Sequence, residues 1–257
     1  MDDIDELFAQ TLSGNYDDDA PWEAVRSLHE MGSRAVFEKA ANWCGSDDAK
    51  ERSRGADVLA QLGRSEERRN SFPEESFMVL AGMALNEQET RPLCSAITAL
   101  GHLADHRAVP LVAHYRSHSD PRVRYAVAYA CSSVPDERLS MEALLELMRD
   151  EDADIRDWAT FGIGTLSSLD SAEIREHLVA ALGDPSEDVR QEALAGLAKR
   201  RDRRSLPYLL GQLRQAEVDE MTLESASWML GEAEPPEEWM AGDYIAALEE
   251  QFGAQTH

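Results

Sequence analysis

Two pairs of acidic and basic side chains stand at helical spacing and could in principle do chemistry. Asp120 precedes Arg124 by four residues, and Asp152 precedes Arg156 by the same interval. A carboxylate beside a guanidinium can act as a catalytic pair, but an aspartate just before a helix also caps the free N–H groups of the first turn. Both aspartates precede helical runs, so we assign the pairs to architecture and predict no catalytic residue.

Sequence motifs of the familiar catalytic and metal sites are missing. The chain has no G-x-x-x-x-G-K-[ST] phosphate loop, no G-x-S-x-G nucleophile elbow, no H-E-x-x-H zinc motif and no C-x-x-C pair. Four of the seven histidines cluster, but a turn near Asp105 interrupts them; they are His102, His106, His114 and His118. We therefore expect neither a metal site nor a cofactor.

The Asp120–Arg124 and Asp152–Arg156 pairs belong to an internal repeat. Three segments align directly: DPRVRYAVAYA from Asp120, DADIRDWATFG from Asp152 and PSEDVRQEALAGL from Pro185. The anchor is the aliphatic position before the arginine in these three segments. Weaker copies, found by their endings, extend the set of anchors to residues 20, 51, 92, 123, 155, 189 and 222, with spacings of 31, 41, 31, 32, 34 and 33. This period is typical of helical hairpins. A polar insertion over 64–73 explains the long second spacing.

A second amphipathic helix precedes each anchor helix, the helix that carries the anchor position. In one example, Leu206, Leu209 and Leu213 fall on a single helical stripe. No segment alternates with the period of a strand, so we predict about fourteen repeat helices and no sheet. Terminal segments must cover the ends of a repeat stack. We therefore predict one domain over 1–257, with an N-terminal cap (1–16), repeats (17–235) and a C-terminal capping helix (236–257).

The motif D-x-x-V-R-x-x-A-A-x-A-L-G-x-L-G followed by R-A-V-P resembles HEAT-like repeats of the phycobilisome-lyase type, most fully over 120–130 and 101–110. The resemblance implies a right-handed α-solenoid of about seven repeats. It also implies that anchor helices line the concave face and that each arginine reaches the turn of the neighbouring repeat. It does not imply one function, because such repeats serve scaffolds, inhibitors, lyases and a few enzymes. One enzyme of this fold, deoxyhypusine hydroxylase, uses repeated His-Glu pairs, and the chain has only His29–Glu30.

Aromatic and acidic residues gather at anchor-helix positions that the repeat pattern leaves free. Exposed rings on a concave wall make good anchors for a partner, because they bury much area at low entropic cost. The alternative is that flanking residues cover these rings and make them core. The predicted partner-binding residues are Tyr125, Tyr129, Asp157, Trp158, Phe161, Glu192, Glu224 and Trp228.

The formal net charge of −25, from 25 basic and 50 acidic residues, bears on the partner. Such a field repels nucleic acid and anionic lipid and speeds encounter with basic partners. A salt-adapted or high-GC source would explain the same bias. The three unpaired cysteines, the acidic N-terminus and the lack of a long apolar run predict a cytoplasmic protein without membrane contact.

These features predict a non-enzymatic protein-interaction scaffold. Its concave, aromatic and acidic groove would hold a basic protein or peptide, as in an adaptor or a toxin-neutralising partner. One alternative is a lyase or another enzyme subunit that holds a small molecule in the same groove. A DNA-glycosylase-like enzyme is disfavoured, because a wall that engages phosphate must be basic.

Overall fold

The computed structural model describes residues 3–232, 236 and 238–253, and helices fill most of this range. Among these residues the one extended pairing is an isolated bridge between Ser65 and Arg68. The prediction of an all-α fold without a sheet is confirmed. The α-helices are α1 (Asp3–Thr11), α2 (Asp19–Met31), α3 (Arg34–Cys44), α4 (Ala49–Ala60), α5 (Pro73–Asn86), α6 (Thr90–Leu103), α7 (Val109–His114), α8 (Pro121–Ser132), α9 (Arg138–Leu147), α10 (Ala153–Phe161), α11 (Ala172–Ala181), α12 (Glu187–Lys199), α13 (Leu206–Leu213), α14 (Glu220–Leu230) and α15 (Ala241–Phe252).

The chain divides into two compact units, unit 1 (Met1–Ala143) and unit 2 (Leu144–His257). In unit 1, α1 packs on α2, α3 on α4, α5 on α6 and α7 on α8, and the anchor helices α2, α4, α6 and α8 pack on one another in chain order. In unit 2, α11 packs on α12 and α13 on α14, and the anchor helices α10, α12 and α14 pack in order. The seven predicted anchor positions thus fall in seven separate anchor helices, as the repeat pattern predicts.

Small residues set the distance between successive anchor helices. A Cβ atom added at Gly196 of α12 would lie 2.5 Å from the Cα atom of Gly164, and one added at Gly101 of α6 would lie 2.8 Å from the Cα atom of Ala130 in α8. Real Cβ atoms do not approach backbone this closely, so only glycine fits at Gly101 and Gly196. The backbones of successive repeats therefore touch at these two points.

The aspartates of the repeat cap the anchor helices. Oδ1 of Asp120 accepts a hydrogen bond from the backbone N–H of Arg122 (3.0 Å), and Oδ1 of Asp152 accepts one from the N–H of Asp154 (3.0 Å). Each bond satisfies a donor that the first helical turn leaves without a partner. The assignment of these carboxylates to architecture is confirmed.

The arginines after the anchor positions brace the turns. In unit 2, Nη1 of Arg156 donates to the carbonyl of Asp150 (2.9 Å), while Nε and Nη2 reach both carboxylate oxygens of Asp184 in the next repeat (2.8 and 2.9 Å). The carbonyl of Asp184 accepts in turn from Nη1 of Arg190 (2.7 Å). Each arginine therefore ties its own turn, and Arg156 also ties the next one, as the family resemblance implies.

Unit 1 repeats this pattern. Arg124 is buried and its Nη1 donates to the carbonyl of His118 (2.9 Å). Arg52 donates from Nη1 to the carbonyl of Ser46 (3.0 Å) and from Nε to Glu87 of the following repeat (2.7 Å). The copy at Arg52 shows that the same brace operates in the second repeat, where the sequence motif is weak.

The two segments outside the regular repeats, the 64–73 insertion and the C-terminal helix α15, both pack against the repeats. In the 64–73 insertion, buried Asn70 donates to the carbonyl of Leu59 (2.6 Å) and accepts from the N–H of Phe72 (2.8 Å), which pins the loop to α4. At the other end, Tyr244 and Leu248 of α15 are buried in the core formed with α12, α13 and α14. This packing agrees with a capping role for α15.

No helix within the described ranges has both the length and the apolar character needed to cross a membrane.

We expect Arg156→Ala to lower the free energy of unfolding by about 3 kcal/mol, because the change leaves the Asp184 carboxylate without its cation. Both side chains of this pair are only about a tenth exposed, 12% and 11%. Arg122→Ala is the matched control, since its side chain is 60% exposed and pairs with the neighbouring Asp120, and it should cost less than about 1 kcal/mol. Chemical denaturation measures both, and an Arg156→Ala protein as stable as wild type would refute the bracing role.

Candidate functional site

The eight predicted partner-binding residues are divided between the two units. Unit 1 carries Tyr125 and Tyr129 on α8. Unit 2 carries the other six on α10, α12 and α14, and we call these six the acidic–aromatic face: Asp157, Trp158, Phe161, Glu192, Glu224 and Trp228. None of the eight is fully buried, and Tyr125 is 39% exposed. That all eight line one continuous surface stays a prediction.

Tyr129 in unit 1 is held by a histidine of the preceding anchor helix. Its hydroxyl lies 2.9 Å from Nδ1 of His102, and the two rings meet at 5.2 Å with an edge-to-face tilt of 60°. Burial, with a smaller contribution from Arg64, lowers the pKa of His102 to about 4. The imidazole is therefore neutral near neutral pH and serves as a hydrogen-bond partner that orients the tyrosine.

Two acids on neighbouring anchor helices, Asp157 on α10 and Glu192 on α12, interact electrostatically on the acidic–aromatic face. Burial, and then the charge of Asp157, raises the pKa of Glu192 to about 7. Burial also raises the pKa of Asp157, with Asp188 adding to the effect. Oδ1 of Asp157 is shielded from solvent and has no hydrogen-bond partner among the residues that the structure describes. The pair is therefore short of hydrogen-bond donors.

The aromatic side chains of the face lie next to these acids. Trp158 meets Phe161 edge to face, with ring centroids 5.8 Å apart, one and four residues after Asp157 on the same helix. The ammonium of Lys199, at the end of α12, lies 4.4 Å from the ring centroid of Trp228 on α14. An ammonium over an aromatic face is a favourable cation–π arrangement. Apolar surface and negative charge are thus combined on three successive anchor helices.

A π-helical turn over Gly162–Leu166 follows α10 and places one further polar residue in the cluster. Thr165 donates from Oγ1 to Glu192 (3.2 Å), and its carbonyl accepts from Nζ of Lys199 (3.1 Å). Arg200 stabilises the turn by donating to the carbonyls of Ile163 and Gly164, both at 2.8 Å. Turns of this kind are frequent at functional sites.

Sequence reasoning identified neither Thr165 nor the structural role of Arg200. Glycines two residues apart at Gly162 and Gly164, just after a repeat helix, were the available signal for an irregular turn. The guanidinium of Arg200 is committed to the backbone of this turn. It therefore braces the turn, and Lys199 is the cation that lies against the face.

The interpretation that the repeat leaves these anchor-helix positions free is wrong for α4. Its equivalents Ser53, Arg54 and Asp57 are all buried. The loop between α1 and α2 covers them, because the hydroxyl of Tyr16 donates to Oδ2 of Asp57 (2.6 Å) and Arg54 donates to the carbonyl of Tyr16 (2.7 Å). These positions are free only where no other segment of the chain covers them.

The histidines do not form a metal site in the described structure. There, no group of three or more His, Cys, Asp or Glu side chains is arranged to hold a metal ion. His102 is bonded to Tyr129, and Nδ1 of His118 accepts from the backbone N–H of Asp120 (3.0 Å). The His29 ring contacts the carbonyl of Asp57 (2.9 Å). Each of these three rings thus has a structural partner.

Two known proteins are similar to this chain in sequence. Protein YibA of Escherichia coli (strain K12) is 27% identical over 209 residues, which cover 79% of this chain and 72% of YibA. Phycocyanobilin lyase subunit alpha of Thermosynechococcus vestitus is 30% identical over 83 residues, which cover 32% of this chain and 30% of that protein.

Among solved structures, the X-ray structure of Escherichia coli YibA has a TM-score of 0.72 at 24% identity and covers 100% of this chain and 88% of its own. An archaeal HEAT-like repeats protein from Thermococcus onnurineus NA1 has a TM-score of 0.57 at 17% identity, with coverage of 95% and 99%. At these identities the structural likeness speaks for the fold alone.

The family model for HEAT repeats matches residues 80–164 and 141–231. The two matches overlap and together span more than half of the chain. They include the hairpins that carry all eight predicted partner-binding residues. The protein therefore belongs to the HEAT repeat family.

Proposed function

We propose that this protein is a non-enzymatic scaffold that holds a basic protein or peptide segment on the acidic–aromatic face, as an adaptor or toxin-neutralising partner would. The observation that carries the proposal is the half-buried Asp157–Glu192 pair beside Trp158, with one carboxylate oxygen lacking any donor in the described structure. Concave surfaces built from stacked repeats are extended binding surfaces in many repeat proteins.

The acidic pair costs folding free energy that a guest can recover. Burial raises the pKa of Glu192, and the charge of Asp157 raises it further, because both disfavour the ionised carboxylate. A lysine or arginine of the guest would place positive charge beside this pair and favour the ionised form of Glu192. The attraction between these opposite charges is stronger where the carboxylates are partly buried than in water. A basic segment is the guest that this chemistry favours.

The aromatic rings favour the same guest. Trp158 and Phe161 offer apolar area for the aliphatic stem of a lysine or arginine. The contact between Lys199 and Trp228 already places an ammonium on a ring of this face. The net charge of −25 would speed the approach of a basic partner and make the association rate fall with added salt.

The similarity to phycocyanobilin lyase subunit alpha favours a second candidate, an enzyme subunit that holds a small molecule on the same face. The two candidates differ in what the purified protein retains. A bound small molecule would appear as a mass increase in native mass spectrometry or as visible absorbance, whereas a scaffold for a basic segment needs neither.

We expect Trp158→Ala to weaken binding of lysine- and arginine-rich peptides by about 2 kcal/mol, roughly 30-fold, because the change removes a central aromatic anchor. Fluorescence anisotropy with peptides selected on an array measures the affinity, and scrambled acidic peptides serve as negative probes. Trp239→Ala is the matched control, since Trp239 is 38% exposed and lies outside the face. Unaltered binding together with a large loss of thermal stability would show that Trp158 is core.

We expect Glu192→Gln to stabilise the fold at about pH 8 and to change it little at about pH 5. The folded-state pKa of about 7 exceeds the ordinary value of 4.5, so the stability that the protonated carboxyl contributes is present at low pH and is lost as the pH rises through about 7. One pKa unit corresponds to about 1.4 kcal/mol, and partial exposure reduces the effect to about 1–2 kcal/mol.

Thermal denaturation across this pH range measures the effect, with the exposed Glu173→Gln as the control. Binding of a basic peptide should strengthen over the same interval in wild type and lose that pH dependence in Glu192→Gln. Parallel stability curves for wild type and Glu192→Gln would contradict the assignment of a proton to Glu192.

A further inference from the structure

A second site candidate lies in unit 1, away from the acidic–aromatic face. A cavity of about 350 Å³ is enclosed by the loop between α1 and α2 and by the first turns of α4 and α6. Leu12 and Tyr16 line it from the loop, and Pro92 lines it from α6. Its size suits a small molecule rather than a folded partner.

The charge of this cavity is opposite to that of the protein. Its charged lining residues are Lys50, Arg54, Arg91 and Glu89, three cations against one acid, in a chain where acids outnumber bases two to one. A cavity between α3 and α5, by contrast, is lined by Asp47, Arg52 and two glutamates. The excess of cations thus distinguishes the first cavity from the one between α3 and α5.

The surplus positive charge rests on two residues. Arg54 is compensated by Asp57 (3.3 Å), and Glu89 is committed to Arg52 (2.9 Å). The one ion pair of Arg91 within the described residues is a distant contact with the largely exposed Asp17, at 3.8 Å. The ammonium of Lys50 has no ion pair in the part of the chain that the structure describes. Both side chains are at least in part exposed and could turn toward a ligand.

The walls around these cations are fixed. The ring of Tyr16 stacks with the guanidinium of Arg54 at 4.0 Å and with that of Arg91 at 4.3 Å. Arg54 also donates from Nε to the carbonyl of Thr11 (2.9 Å), which holds the loop in place. At the start of α6, the side chain of the N-cap residue Glu89 accepts no hydrogen bond from the backbone N–H groups of the first turn. An anion there would also gain from the positive end of the helix.

We propose that this cavity binds a small organic anion, a carboxylate or phosphate group carried on a compact apolar body. Lys50 and Arg91 would pair with the anionic group. The apolar body would pack on Leu12 and Pro92. The acidic surface elsewhere disfavours anions, so binding should be confined to this cavity.

Protein-observed NMR titration of the full chain tests the proposal with four probes: phenyl phosphate, benzoate, inorganic phosphate and benzyl alcohol. Phenyl phosphate or benzoate should shift the amide signals of Ala49–Arg54 and Thr90–Leu93, with a Kd of about 1 mM or tighter. Inorganic phosphate and benzyl alcohol should each bind at least about tenfold more weakly, because each lacks one half of the ligand. A preference between the two aryl anions distinguishes phosphate from carboxylate.

Lys50→Gln and Arg91→Gln should each weaken binding of the preferred aryl anion by about tenfold. Arg214→Gln removes the same charge from an exposed site in unit 2 and should leave binding unchanged. Comparable melting temperatures would show that the variants fold. The proposal is overturned if neither aryl anion binds, if benzyl alcohol or inorganic phosphate binds as tightly, or if the two variants bind like wild type.

Discussion

Each unit depends on hydrogen bonds that the arginines after the anchor positions donate to backbone carbonyls. The turns between helices leave these carbonyls without a helical partner, and the arginines supply one. Arg156 spans from its own turn to Asp184, whose carbonyl is held by Arg190. With the turns fixed in this way, the anchor helices can approach until Gly164 and Gly196 touch. Positions that face the partner helix must then be small.

Periodicity was sufficient to predict the helices and their caps. The anchor spacing and Asp120 or Asp152 before the apolar run are local patterns that survive in one sequence. The path of the α1–α2 loop is not local, so the covering of Asp57 by Tyr16 could not be predicted. The position of Thr165 depends on a π-helical turn held by Arg200 from another repeat. The candidate residues could be chosen from the sequence, but their burial and partners could not.

The candidate site in unit 1 and the candidate site in unit 2 have opposite electrostatic character. In unit 2, half-buried Asp157 and Glu192 lack cations sufficient to neutralise them. In unit 1, Lys50 and Arg91 give a cavity positive charge within an acidic chain. Uncompensated charge in a partly desolvated place lowers stability, and retention of such charge is a common mark of binding sites. The HEAT repeats thus supply a common scaffold, and side chains that the repeat packing does not require set the chemistry of each candidate site.

Zero-length carbodiimide crosslinking tests the central claim most directly, because it joins a carboxylate to a lysine amine only when the two are in contact. The measurement uses the full chain with a lysine-rich peptide that it binds, followed by mass spectrometry of the linked fragments. The account predicts that the peptide lysines are joined mainly to Asp157, Glu192 and Glu224, and that excess arginine-rich peptide competes for them. Links confined to exposed acids outside α10, α12 and α14 would contradict it.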